Sequence, residues 1–321
     1  MKRVTLYDVA REAGVSHMTV SRVVRGANLV KRATREKVEA AVNKLEYQPD
    51  PALSALAAYR TLGSKAGSGH GSQLVFLDCD GTPYSQVVLG GVKQEAALLG
   101  YSVGSFRVKS DPGSQAQLSR MLYHRGVRGL LFGPSDEPLV FEGWEWPKFA
   151  FVSLGALTHQ PPMHAVALDY FHGALTACGL LGKLGCRRLA LVIDPRLEAR
   201  TAHRWRGGYV AGLKPKEAVR VYPLVDWTPA KLRRWITHAC VDGVLTIHAE
   251  VAKALEGSGV RLVFLNDQAR HTGVPGLNLD PRHIGAEGVR LLHHSLLRRE
   301  FGLPAEPKMV ALQGSFKILK N

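Results

Sequence analysis

The sequence predicts an all-α helix-turn-helix headpiece followed by a two-lobed α/β body. Three observations carry that expectation. Within residues 4–45, apolar side chains recur at helical spacing in three short runs, and Gly14 parts the first two. Residues 63–72, Gly-Ser-Lys-Ala-Gly-Ser-Gly-His-Gly-Ser, read as a flexible linker. From Gln73 onward, short apolar runs alternate with amphipathic stretches, more of them than one sheet of ordinary size uses.

In the first run Leu6, Val9, Ala10 and Ala13 share a helix face, and Thr5 with Asp8 three residues on makes a capped start. Gly14 has no Cβ to clash, so it can supply the left-handed backbone of a tight turn. Ser16 is placed to cap a second helix whose Val20, Val23 and Val24 point inward. His17, Met18, Ser21, Arg22 and Arg25 point the other way. Two short helices joined by a glycine turn, the second presenting donors and a guanidinium, fit a DNA-reading helix-turn-helix. An Arg fork bonds O6 and N7 of guanine together, whereas Met18 offers only apolar contact, such as with a thymine methyl.

Thr34 is expected to cap the third helix, with Val38, Ala41, Val42 and Leu45 on its apolar face. Tyr47-Gln-Pro49 ends it, because the residue before a proline is steered out of the helical region. Asp50-Pro51 then opens a segment through Ala58 that is too short to hold a helix alone in water. A linker helix lying on the body is the plain reading of that segment.

Composition points to a polyanionic partner. The net charge is +15 and the pI near 9.8. Residues 1–65 hold twelve Lys/Arg against six Asp/Glu, so positive charge is densest at the front. Apolar residues make up 45% of the chain, enough for sizeable cores. Four scattered cysteines, Cys79, Cys178, Cys186 and Cys240, form no C-x-x-C pair, which argues against zinc and a disulfide framework. Buried free thiols in a reducing cytoplasm are expected. No apolar run is long enough for a signal segment or a membrane span, so neither export nor membrane insertion is expected.

The stretches Val4-Thr-Leu-Tyr-Asp-Val-Ala, Val15-Ser-His-Met-Thr-Val-Ser-Arg-Val and Thr34-Arg-Glu-Lys-Val-Glu-Ala-Ala-Val resemble the headpiece of the lactose-repressor (LacI/GalR) family of bacterial transcription regulators. The resemblance implies that His17 and Met18, the two positions after the capping Ser16, read base edges, with Arg22 as a third reader. Hydroxyls and helix N-termini at Thr5, Tyr7, Ser16, Thr19, Ser21 and Thr34 are expected to hold the phosphates. It also implies a hinge helix that folds when two copies pair over the operator. There Leu53 and Leu56 would meet the minor groove, Leu56 as the wedge that kinks the DNA. The expected divisions are a headpiece at 1–48, the hinge helix at 49–62, the linker at 63–72, and an effector-binding, dimerising body at 73–321. That body is implied to be periplasmic-binding-protein-like, with two lobes, three crossovers and a small effector, a sugar, between them. The crossovers are expected near Gly155, Asn278 and Gln313. The implied function is a cytoplasmic, sequence-specific repressor. It would bind a near-palindromic double-stranded operator as a homodimer, under effector control and without a cofactor.

Within the body the pattern predicts strands at 74–77, 101–108, 129–132, 149–154, 188–193, 243–247 and 261–265. Helices are expected at 87–99, 115–124, 173–184, 202–213, 229–239, 251–256 and 284–297. Ligands of such sheets collect outside the strand carboxyl ends, here 80–84, 133–135 with Ser135, 155–160, 194–196, 248 and 266–267. By resemblance, Tyr84 supplies an aromatic and Asp267 bonds an effector hydroxyl. The family's Arg three residues before the Gly-aromatic pair is Trp205 here, ahead of Gly208-Tyr209 and flanked by Arg204 and Arg206. Either a neighbouring Arg substitutes or the effector chemistry differs. Trp205 could stack on a sugar, but an aromatic on an apolar helix face is more often core.

One stretch suggests catalysis instead. Leu74-Val-Phe-Leu-Asp78-Cys-Asp80-Gly-Thr82 looks like the first motif of haloacid-dehalogenase-type phosphohydrolases, with Asp78 as nucleophile and Asp80 as acid/base beside Mg²⁺. That chemistry also needs a downstream Lys and a late acidic pair. The chain offers only the lone Asp267, and Pro83 follows Thr82, so an effector loop is the preferred reading. The adjacent His293 and His294 point to different faces of a helix, and neither His271 nor His283 has a carboxylate at ligand spacing, so no metal site is expected.

Overall fold

The computed structural model describes residues 4–24, 30–45, 47, 73–136, 139–155, 159–266, 274–278 and 280–317. The chain divides into two compact units, Met1–Lys65 and Ala66–Asn321. The expected hinge helix with Leu53 and Leu56, and the 63–72 linker, lie outside the described residues.

The first unit contains α1 (Leu6–Ala13), α2 (His17–Val24) and α3 (Arg32–Lys44). Thr5 and Asp8 form the expected capping box, each satisfying the other's backbone N–H. Gly14 ends α1 with φ +64°, a conformation that an L side chain adopts only under strain. The Ser16 hydroxyl accepts the Thr19 N–H at 3.2 Å, capping α2. Val9, Ala10, Val20, Val23, Val38 and Ala41 make the buried centre of this unit. Thr34 does not cap α3. The helix starts two residues earlier, at Arg32, after Lys31, whose side chain makes no capping bond. Arg32 and Ala33 are good helix formers that extend the helix past the expected cap.

The second unit holds two six-stranded sheets. The first contains β1 (Gln73–Asp78), β2 (Ser102–Arg107), β3 (Gly129–Phe132), β4 (Ala150–Leu154), β5 (Ala165–Leu168) and β11 (Met309–Leu312), in the order β11-β5-β4-β3-β1-β2, all parallel. The second contains β6 (Leu189–Ile193), β7 (Val221–Pro223), β8 (Gly243–Thr246), β9 (Arg261–Phe264), β10 (Gly276–Asn278) and β12 (Ser315–Lys317), in the order β12-β10-β9-β8-β6-β7. Only the β10–β12 pair of this sheet is antiparallel.

The intervening helices are α4 (Pro83–Leu98), α5 (Pro112–His124), α6 (Tyr170–Lys183), α7 (Pro195–Arg200), α8 (Arg204–Gly212), α9 (Pro229–His238), α10 (Ala249–Ala254) and α11 (Arg282–Arg298). The fold is thus a helix-turn-helix headpiece with a two-lobed α/β body.

Apolar clusters cover the faces of each sheet. On one face of the first, Leu74, Phe76 and Leu131 pack with Val88 and Val92 of α4 and Ile284, Val289 and Leu292 of α11. On the other, Phe132 meets Phe141 at 4.5 Å and Trp144 at 5.5 Å, both edge-to-face. In the second lobe α6 and α8 cross closely at Gly208, where a Cβ would stand 2.1 Å from the Phe171 carbonyl oxygen.

The chain crosses between sheets three times: after β5, after β10, and between β11 and β12. The last two match Asn278 and Gln313. The first lies at Asp169, not at Gly155. The short run Ala165–Leu168 pairs beside β4 and keeps the chain in the first sheet for one more strand. Cys178 and Cys186 are buried, as expected of free thiols here, whereas Cys79 is half-buried and Cys240 exposed. Cys240 sits in a tight left-handed turn after α9, outside the core. Among the described residues no helix is long and apolar enough to cross a membrane.

Candidate functional site

Two regions carry the expected functional residues, one in each unit. In the headpiece His17 and Met18 open α2 on its exposed side, with Met18 56% exposed. Tyr7 of α1 is 65% exposed, and its ring stacks on that of His17 at 4.9 Å and 28°. Together they give the start of α2 a partly apolar open surface. The backbone of Ser21 and Arg22 lies in α2, while their side chains are outside the described residues.

Not every expected hydroxyl is available to a phosphate. Thr5 donates its proton to Asp8 at 2.6 Å, so its side chain serves the cap. Ser16 and Thr19 share one bond of 2.9 Å, which leaves one of their two protons for a ligand. Thr34 lies half-buried in the first turn of α3. Arg11, Lys31, Arg32 and Lys37 are exposed around these helices.

In the body the expected loops all follow strand carboxyl ends. After β1, Asp78 accepts from the Gly81 N–H and the Ser85 hydroxyl, and pairs with Arg107 at 3.3 Å. Asp80 accepts from both the N–H and the hydroxyl of Thr82, and Thr82 in turn caps α4. Burial, with Asp136 and Asp78 nearby, raises the Asp80 pKa above the usual carboxylate range even though the Thr82 bonds oppose it. Both carboxylates are therefore engaged in shaping the turn into α4, an arrangement that suits a binding loop better than an attacking nucleophile. Tyr84 sits half-buried in the first turn of that helix.

The two lobes meet through one cation that the sequence reading missed. Arg200, at the end of α7, has a side chain only 12% exposed. It donates to the carbonyl oxygen of buried Ser135 at 3.1 Å and to Asp136 Oδ1 at 3.2 Å, both in the loop after β3. The Tyr170 hydroxyl makes a second link, donating to the Gly155 carbonyl at 2.8 Å. The available signal was Asp194-Pro195, a cap followed by proline at the first helical position, which starts α7.

Trp205 is 3% exposed, edge-to-face with Tyr170 at 4.8 Å, and belongs to the second lobe's core. Its Nε1 has no hydrogen-bond partner among the described residues. Arg204 is half-buried, and Arg206 is exposed with its N–H donating to Glu198. Asp267 is outside the described residues. The guanidinium of Arg200 is thus bonded to the β3 loop.

His159 is buried and accepts the Leu139 N–H at Nδ1. Burial, with Arg200 adding to it, pushes this imidazole down to about 4. His248, which accepts the Asp194 N–H, is lowered by burial as well. Among the described residues no group of His, Cys, Asp and Glu is placed to hold a metal ion.

The profile described as "Bacterial regulatory proteins, lacI family" matches residues 5–50. Catabolite control protein A of Streptococcus mutans is 29% identical over 214 residues, 66% of this chain and 61% of that protein. The lactose operon repressor of Escherichia coli is 33% identical over 201 residues, 61% of this chain and 52% of that protein. The chain therefore spans less than two thirds of the length of these relatives. Among solved structures, the transcriptional regulator CelR–cellobiose complex shares the fold with a TM-score of 0.55 and 21% identity, covering 98% of this chain and 99% of that one.

Two variants separate the contributions at the lobe junction. A charged donor on a buried acceptor contributes about 1.5–3 kcal/mol. Asp136 is 60% exposed, and an ion pair of that kind contributes under about 1 kcal/mol. Arg200→Ala is expected to lower the urea-unfolding free energy of the body by about 1.5–3 kcal/mol, and Asp136→Asn by under about 1 kcal/mol. Equal losses would put the energy in the ion pair instead.

His159 predicts a pH dependence. The unfolded imidazole takes up its proton near pH 6.5, the folded one only near 4, so the unfolded chain holds more protons in between. Stability contributed by this residue is full above pH 6.5 and falls by about 3 kcal/mol as the pH drops to 4. His159→Asn should flatten the loss of melting temperature over that window. An identical slope in both proteins would contradict the burial of a neutral ring.

Proposed function

We propose, from the match of residues 5–50 to the lacI family of bacterial regulatory proteins, that the chain is a sequence-specific, DNA-binding transcriptional repressor controlled by a small effector. The observation that carries this reading is the exposed His17–Met18 end of α2, set after the Gly14 turn within the matched segment. His17, Met18 and Arg22 read base edges in the major groove. Tyr7, Ser16, Thr19, Ser21, Thr34 and the exposed Arg and Lys side chains hold phosphates, while Thr5 fixes the start of α1. One small headpiece has too few contacts for selective binding, so two copies of the chain engage a near-palindromic operator. Leu53 and Leu56 serve as the minor-groove elements of a hinge helix.

The body takes a sugar where the strand carboxyl ends of its lobes gather, in keeping with cellobiose in the CelR structure of the same fold. Tyr84, Ser135, Arg204, Arg206 and Asp267 are the residues proposed to contact it, with Trp205 supporting from the core. Arg200 takes the place of the family's missing Arg at the junction. A cytoplasmic regulator that uses no cofactor is the reading proposed, and the bonds of Asp78 and Asp80 within the β1–α4 turn favour a binding loop there over a catalytic one.

Titrating the purified chain with genomic-fragment pools in rising salt tests the DNA half of this reading. A selected site should bind at least about 10³-fold tighter than bulk DNA. Its log affinity should fall linearly with log salt. A sugar screen by thermal shift tests the other half: at a hundred times its Kd an effector adds about 2.7 kcal/mol of stability. Equal, salt-sensitive binding to all DNA, or no stabilising sugar, would contradict the corresponding half.

A further inference from the structure

The Tyr7–His17 stack joins two helices at the exposed surface. Tyr7 is the second residue of α1, bracketed by the Thr5–Asp8 capping box that fixes the helix start. His17 is the first residue of α2, on the far side of the Gly14 turn. Their rings lie nearly parallel with centroids 4.9 Å apart, although Tyr7 is 65% exposed and His17 is exposed too. Two rings that could each move freely in solvent are instead held face to face.

That contact limits what His17 can do. One face of the imidazole is covered by the phenol ring, so stacking on a base from that face is blocked and the ring edge with its two nitrogens remains. An edge presents hydrogen-bonding atoms, which is the chemistry that distinguishes base pairs in the major groove. The stack also spares the ring part of the ordering cost that an exposed side chain meets on binding. Beside it Met18, 56% exposed, extends the same surface with an apolar group.

We infer that Tyr7 is a positioning residue for base selection: by stacking on His17 it presents the imidazole edge-on to one base pair of each half-site. This rests on the DNA-binding reading above. α1 thereby takes part in specificity through α2. The phenol hydroxyl, at the far end of the ring, acts separately on a phosphate.

The test is selection of bound duplexes from a fully randomised double-stranded library by the full chain, followed by sequencing. The proteins compared are the natural chain, Tyr7→Phe, Tyr7→Ala, His17→Ala and the Tyr7→Ala/His17→Ala double variant. Tyr7→Phe keeps the ring and should retain every base preference of the natural chain while binding all sites more weakly by a common factor. Tyr7→Ala should lose preference at one base pair per half-site, by about fivefold or more. His17→Ala should lose it at the same base pair, and the double variant should lose no more than His17→Ala alone. The loss confined to the base pair that His17→Ala also loses is a readout that a merely structural Tyr7 would not move. A uniform loss in Tyr7→Ala, or additive losses at different base pairs, overturns the inference and leaves the DNA-binding reading intact. A natural chain that selects no site at all overturns both. Should Tyr7→Ala fail to fold, Tyr7→Leu, which also removes the aromatic ring, takes its place and is read at the same base pair with the same two outcomes.

Discussion

Parallel strand pairing is the constraint on which the body's organisation depends. Two parallel neighbours cannot be joined by a tight turn, so each strand must be followed by a crossover that returns the chain to its starting end. Every strand but the antiparallel β12 therefore releases its carboxyl end on one edge of its sheet. The sequence can vary the loops there without disturbing the pairing. In the first lobe that edge gathers Asp78 to Tyr84, Gly133 to Asp136, and Gly155; in the second it gathers Asp194 to Arg200 and His248. Arg200 and Tyr170 reach from one set of loops to the other, and both rely on backbone carbonyl acceptors, which a change of side chain at Ser135 or Gly155 would not remove.

The headpiece obeys a different economy. Its buried centre consists of Val and Ala side chains, each contributing little apolar area, in a unit of a size where folding is marginal. Local devices therefore carry more of the weight: the Thr5–Asp8 box, the αL turn at Gly14 and the Ser16 cap each determine where a helix begins or ends. Their combined result is the placement of His17 and Met18 on an open surface. The body, with Phe, Trp and Leu clusters on its sheets, needs no such assistance to persist.

The sequence announced those local devices because each is written in two or three neighbouring residues. Long strands and helices with several buried positions, such as Leu189–Ile193 and Arg282–Arg298, were legible for the same reason. The segments that escaped notice are short. Ala165–Leu168, Val221–Pro223, Gly276–Asn278, Met309–Leu312 and Ser315–Lys317 become strands only because a neighbour offers its backbone, and that neighbour is distant in sequence. Arg200 was hidden with them: its meaning lies in a bond to residues in the other lobe, which no local spacing encodes. Trp205 illustrates the opposite case, where position in a motif suggested a ligand contact but an apolar helix face placed the ring in the core.

Under the proposed function the headpiece and the body are coupled, so that the occupancy of one alters the grip of the other. Thermodynamic linkage makes this directly measurable. The operator Kd should be determined with and without the stabilising sugar at saturation, and the sugar Kd with and without operator, by isothermal titration calorimetry on the full chain. Coupling requires the same factor in both experiments, about 5- to 150-fold when it is of ordinary size. Two affinities that do not change with the other ligand present would contradict it.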